Sequence, residues 1–117
     1  MSLVTTLTQT DQSHPPLVLI HGLGSAATAF KPIIPALSQR FRVITVDLPG
    51  HGKSAYIKGQ AMDPKSLGRA IFETVEREYG VKEFHVAGNS LGGWIALEMA
   101  ADQPQRIKTL TGLAPAG

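Results

Sequence analysis

The sequence predicts an α/β fold: a mostly parallel open sheet with helices on both faces. Three observations carry that prediction. The runs "PLVLIHG" (16–22), "RVITVDLPG" (42–50) and "KEFHVAGN" (82–89) are apolar enough to be strands buried on both faces. Segments with helical character separate them, and four strand-then-helix alternations imply a parallel sheet covered on both faces. The chain has 117 residues, 43% of them hydrophobic, and no repeat, low-complexity tract or second domain. That suits one domain with its own core, burying roughly two thirds of its unfolded surface.

The segment "VTTLTQT" (4–10) alternates β-branched residues and reads as one short strand, closed by the polar, proline-bearing "DQSHPP". The run 16–22 is the first long strand. In "SAATAFKPIIPALSQRF", Pro32 and Pro35 forbid one long helix, so a loop leads into a short helix starting near Pro32. The run 42–50 is the second buried strand and ends in a turn, followed by the polar loop "HGKSAYIKGQAM". "DPKSLGRAIFETVEREYG" is the clearest helix: Asp63 caps it, Pro64 occupies the first turn and Gly80 stops it. Leu67, Ile71 and Val75 recur every four residues with Phe72 and Tyr79 beside them, so one stripe packs on the sheet. The strand 82–89 follows, then the helix "LGGWIALEMAADQPQ", ended by Pro104, then a fourth strand, "IKTLTGLAP" (107–115).

Composition excludes several classes. The net charge is +2 and the eleven Lys and Arg are scattered, so no footprint for nucleic acid or membrane is visible. There is no cysteine, which removes disulfides and thiolate metal sites. The start "MSLVTTLTQTDQS" has neither a basic nor an apolar signal region, and no apolar stretch approaches a membrane span, so a cytoplasmic location is expected.

Three glycine motifs compete for the chemistry. "HGLGSAA" (21–27) places Gly22, Gly24 and Ala27 in the spacing of a dinucleotide fingerprint, with Asp47 ending the next strand where a ribose-binding acid belongs. That fingerprint needs a helix starting at once on the glycines, and Pro32 and Pro35 interrupt it; a structural turn is the plainer alternative. "GHGKS" (50–54) ends like a phosphate loop, but position 47 is Asp where that loop requires glycine. Lys53 and Ser54 are therefore expected to be solvated loop residues. "GNSLG" (88–92) puts Ser90 between Gly88 and Gly92, after a strand and before a helix, which is the setting of a nucleophile elbow. Bulk at Gly88 or Gly92 would collide with the neighbouring strand and helix, Gly93 lets the helix start close to the sheet, and the helix N-terminus aims free N–H groups at the same spot. A serine N-cap in an ordinary strand-to-helix loop is the competing reading.

Taken together, His21-Gly22-Leu23-Gly24, the run from Asp47 to Ser54, and Gly88-Asn89-Ser90-Leu91-Gly92-Gly93 resemble the N-terminal portion of the α/β-hydrolase superfamily, over roughly residues 16–115. The resemblance implies a truncated α/β-hydrolase core with Ser90 as nucleophile and the Leu23 and Leu91 N–H groups as the oxyanion hole. It makes His21, Gly22, Gly24, Gly88, Gly92 and Gly93 structural members of the motifs, and Asp47–Ser54 a structural turn. It implies an ester, amide or related small-molecule acyl substrate, no cofactor and no metal; likeness to C–C hydrolases acting on ring-cleavage products is weak.

A serine nucleophile needs a base that is itself oriented by a carboxylate. In the family both follow the nucleophile in the chain, yet after Ser90 only Glu98 and Asp102 appear, and no histidine. His85 lies about 16 Å back along its strand; His14 and His51 are expected to be solvated; His21 is the nearest substitute. The chain 1–117 is thus expected to be one partial core domain, lacking lid and C-terminal part and inactive alone. Its strand 107–115 would then present an apolar, unpaired edge prone to self-association. A dinucleotide-binding module and a non-catalytic α/β scaffold remain as alternatives.

Overall fold

The computed structural model describes residues 3–8, 13–54, 59 and 61–113. Five strands form one sheet: β1 (Val4–Leu7), β2 (Pro16–Ile20), β3 (Arg42–Asp47), β4 (Phe84–Asn89) and β5 (Ile107–Leu113), in the order β1-β3-β2-β4-β5. Four of them run parallel; β1 pairs antiparallel with β3, Thr5 opposite Val46. The sheet is therefore mixed at one edge, which the alternation at 4–10 did not reveal. Residues 9–10 and 114–115, the far ends of two expected strands, lie outside the described residues.

Every residue of β2 and β3 is buried, as their unbroken apolar runs require for central strands. Helix α2 (Pro64–Tyr79) and helix α3 (Leu91–Asp102) cover one face. There Leu67, Ile71 and Val75 of α2 and Ile95, Ala96 and Met99 of α3 meet Val18, Ile20, Ile44, Val46 and Val86 of the sheet. The caps of α2 are those the sequence specifies: Asp63 accepts from Ser66 N at 3.0 Å, and Gly80 closes the helix at φ 67°. On the other face Phe30, Ile34, Leu37 and Phe41 pack over Leu17, Leu19 and Val43. The helix expected from Pro32 is shorter than the spacing suggests, a four-residue α1 (Ile34–Leu37) preceded by a 3₁₀ turn over Ala27–Phe30. Two prolines three residues apart leave few backbone donors for anything longer.

Strand β5 forms the second edge. Its Lys108, Thr109, Thr111, Gly112 and Leu113 are exposed, so this edge mixes polar and apolar side chains. An edge lysine is a common device against strand-on-strand pairing. Among the described residues no helix is long and apolar enough to cross a membrane.

Candidate active site

Strand β4 ends at Asn89 and α3 begins at Leu91, so Ser90 alone makes the turn between them. It does so at φ 54° and ψ −116°, and it is the one non-glycine residue with positive φ among those described. A conformation of this kind costs a non-glycine residue about 1–3 kcal/mol and persists only where the surroundings impose it. The surroundings are visible: Ser90 N donates to Leu113 O of β5 at 3.1 Å, while Ser90 O accepts from Gly93 N at 2.9 Å and Trp94 N at 3.2 Å. The backbone is tied on both sides and the side chain is not. Ser90 makes no side-chain capping bond to α3 and is exposed, so it is not an ordinary serine N-cap.

The flanking glycines are there for steric reasons. A Cβ on Gly88 would fall on the Gly92 carbonyl and within 2.6 Å of Gly93 N. One on Gly92 would fall on the Ile20 carbonyl and lie 2.8 Å from His21 O. Helix α3 can start this close to β2 and β4 only without those side chains. A Cβ on Gly22 would lie 3.3 Å from Ser90 Cβ and 3.8 Å from its Oγ. The turn after β2 and the turn after β4 thus meet at the carboxyl ends of adjacent parallel strands, where open α/β sheets bind ligands.

The turn after β2 is braced by the segment after β3. Buried His21 donates from Nδ1 to Gly22 O at 2.7 Å and accepts at Nε2 from Leu48 N at 3.0 Å. His51 accepts at Nε2 from Gly24 N at 2.9 Å and donates from Nδ1 to Pro49 O at 3.0 Å. The two rings lie 5.1 Å apart. Asp47 accepts from Ala27 N at 2.8 Å and Lys53 N at 3.1 Å. Ser54 Oγ donates to Asp47 O at 2.6 Å and accepts from Val4 N at 2.8 Å. Two expectations bear on this segment: Ser54 is buried and joins β1 to β3, which corrects its reading as a solvated loop residue, and the half-buried His51 has both ring nitrogens bonded to loop backbone. A glycine-proline-rich stretch looks solvated because its bonds run to backbone atoms that no sequence pattern marks.

A profile of the alpha/beta hydrolase fold matches residues 15–116. The chain belongs to the α/β-hydrolase family. It is 36% identical over 103 residues to the pimeloyl-[acyl-carrier protein] methyl ester esterase of Methylococcus capsulatus, across 88% of this chain and 38% of that protein. It is 38% identical over 102 residues to the dihydrolipoyllysine-residue acetyltransferase component of the acetoin cleaving system of Pseudomonas putida, across 87% of this chain and 27% of that one. The solved 2-hydroxy-6-oxo-6-phenylhexa-2,4-dienoate hydrolase from Rhodococcus superposes with a TM-score of 0.82 at 28% identity, across 97% of this chain and 42% of its own. The chain spans less than half the length of these relatives.

Within this α/β-hydrolase the dinucleotide alternative fails on geometry. No helix starts on Gly24; a 3₁₀ turn begins at Ala27. The Asp47 carboxylate, needed free for a ribose, is taken up by the Ala27 and Lys53 N–H groups. Nor is any of the four histidines placed as a base for Ser90. Both ring nitrogens of His21 and of His51 are engaged with the backbone. His85 Nδ1 bonds Thr109 Oγ1 at 2.7 Å, five residues back along β4, and His14 Nε2 donates to Gln39 O at 3.0 Å.

Burial holds the His21 imidazole below its ordinary pKa of 6.5, with His51 beside it acting in the same direction; the Gly22 carbonyl and Asp47 oppose this without overcoming it. The folded state therefore binds the His21 proton less readily than the unfolded chain. Its contribution to stability is complete above pH 6.5 and falls as pH drops below that value, by at most about 1.4 kcal/mol per pH unit. Urea unfolding at pH 7.5 and 5.5 should show the lower stability at pH 5.5, and His21→Gln should flatten the difference. Asp63 and Asp102, held low chiefly by hydrogen bonds from Ser66 and Arg69, act in a separate, more acid window.

Proposed function

We propose that this chain carries the nucleophile and oxyanion hole of a serine hydrolase acting by acyl transfer on a small ester, amide or related substrate. Ser90 Oγ attacks the acyl carbon, and the Leu23 and Leu91 N–H groups receive the charge that develops on the carbonyl oxygen. The single observation behind this reading is the strained, glycine-flanked backbone of Ser90, whose hydroxyl stays uncommitted. Leu91 opens α3, where N–H groups have no partner within the helix. Leu23 lies in the turn that reaches Ser90 through Gly22. An esterase and a C–C hydrolase among the relatives support the class of reaction without choosing between the two.

The reading also bears on the chain by itself. With all four histidines engaged elsewhere, Ser90 has no base, and a serine hydroxyl is a weak nucleophile without one. A fluorophosphonate should therefore label the 117-residue chain slowly, on Ser90 alone, with Ser90→Ala unlabelled. Turnover of an activated aryl ester should be negligible in both. Label spread over other serines would reject Ser90 as nucleophile, and robust Ser90-dependent turnover would reject the absence of a base.

A further inference from the structure

We infer that His51 is a positioning residue for the oxyanion hole, an inference that rests on reading the Leu23 N–H as an oxyanion donor. A peptide group is planar, so the Leu23 N–H and the Gly22 carbonyl share one rigid plane and point in opposite directions. Gly22 O is held by two donors, His21 Nδ1 at 2.7 Å and Ser25 N at 3.1 Å. The next plane joins the Leu23 carbonyl to the Gly24 N–H, and His51 Nε2 holds that N–H at 2.9 Å. Both planes flanking Leu23 are thus pinned, one by each ring of a histidine pair whose rings lie 5.1 Å apart and tilted by 43°.

Packing does not do this work. The Leu23 side chain is 74% exposed, and a Cβ placed on Gly24 would have no atom within 4 Å. Gly24 also sits at φ 76°, with no steric wall to stop the loop rotating. Hydrogen bonds are left to set its orientation. The His51 bond comes from a different segment, 27 residues along the chain, and its ring is fixed by Pro49 O at 3.0 Å. His51 touches neither the hydroxyl nor the donor; it acts through the Leu23–Gly24 peptide.

The test uses two substitutions that separate the two ring nitrogens. Gln carries an amide near the Nε2 position and can still accept from Gly24; Asn reaches only the Nδ1 position and can still donate to Pro49. The probe is a fluorophosphonate: Ser90 Oγ forms a bond to phosphorus, the P–F bond breaks, fluoride leaves and the hydroxyl proton passes to solvent. Its phosphoryl oxygen occupies the oxyanion place. Losing one oxyanion donor slows reaction by about 10²–10³-fold, so His51→Asn should label about 10²-fold more slowly than the parent chain. His51→Gln should stay within a few-fold, with both melting temperatures close to the parent. Hydrogen exchange at the Gly24 amide should be slow in the parent and His51→Gln and fast in His51→Asn. Equal labelling of both variants and the parent overturns the role of His51 alone. A parent chain that takes no label at Ser90 overturns the hydrolase reading and this inference with it, whatever the Gly24 amide does.

Discussion

Ser90→Gly is expected to abolish labelling at position 90 and to make the protein more stable, by about 1 kcal/mol. The two effects have one cause. At φ 54° and ψ −116° the serine Cβ is held in a region that glycine enters freely. Removing it relieves about 1–3 kcal/mol of backbone strain. Against that, glycine gives the unfolded chain more freedom, worth about 0.5–1 kcal/mol. The relief is the larger quantity, and the net gain should raise the melting temperature by about 4 °C in a domain of this size. Ser90→Ala is the control, since it removes the hydroxyl and keeps the Cβ. It should lose the label equally and gain no stability. If Ser90 is the nucleophile, either change in a longer protein that supplies the base should lower kcat by a factor on the order of 10⁶, as removing a serine nucleophile does elsewhere. Chemical unfolding of the three proteins side by side decides the matter. If Ser90→Gly is no more stable than Ser90→Ala, the turn is not strained and the main support for Ser90 as nucleophile is lost.

Much of this arrangement is legible in the sequence, for reasons specific to each element. β2 and β3 announce themselves because central parallel strands must be apolar on both faces. α2 does so because its cap, proline and terminal glycine are local signals acting over a few residues. The elbow is legible because sterics at Gly88 and Gly92 leave no substitute for glycine. What stays hidden is long-range and polar. The antiparallel course of β1 depends on a register with β3 that four residues cannot specify. Ser54 and His51 look like loop residues because their partners, Val4 N and Gly24 N, are backbone atoms 50 and 27 positions away. Asp47 misleads in a further way: an acid at the end of a second strand fits a ribose ligand as well as it fits a structural brace. Only the positions of the Ala27 and Lys53 N–H groups separate the two.

The second large effect is expected at Gly92. A methyl group there would meet the Ile20 carbonyl, with Ile20 C at 2.7 Å and His21 O at 2.8 Å. These atoms belong to the end of the central strand and to the turn that reaches Ser90, and neither can yield without moving β2 away from β3 or β4. Overpacking in a well-filled interior costs typically 1–3 kcal/mol. With backbone as the obstacle, Gly92→Ala should fall at the upper end, about 3 kcal/mol, and lower the melting temperature by about 10 °C. Gly68 supplies the comparison. A Cβ there would also be too close, at 2.7 Å, but to Met99 Cγ, the movable part of a pliant side chain. Alanine in place of a glycine within α2 also gains about 0.8–1 kcal/mol of helix propensity. Gly68→Ala should therefore cost clearly less than Gly92→Ala. The same added methyl group is better tolerated at one helix contact than at the other, because one meets a side chain and the other the main chain beneath the Ser90 turn. Thermal melts of the two variants that agreed within a degree or two would show that α3 can lift from β2, and that the glycines around Ser90 are not what holds its backbone in place.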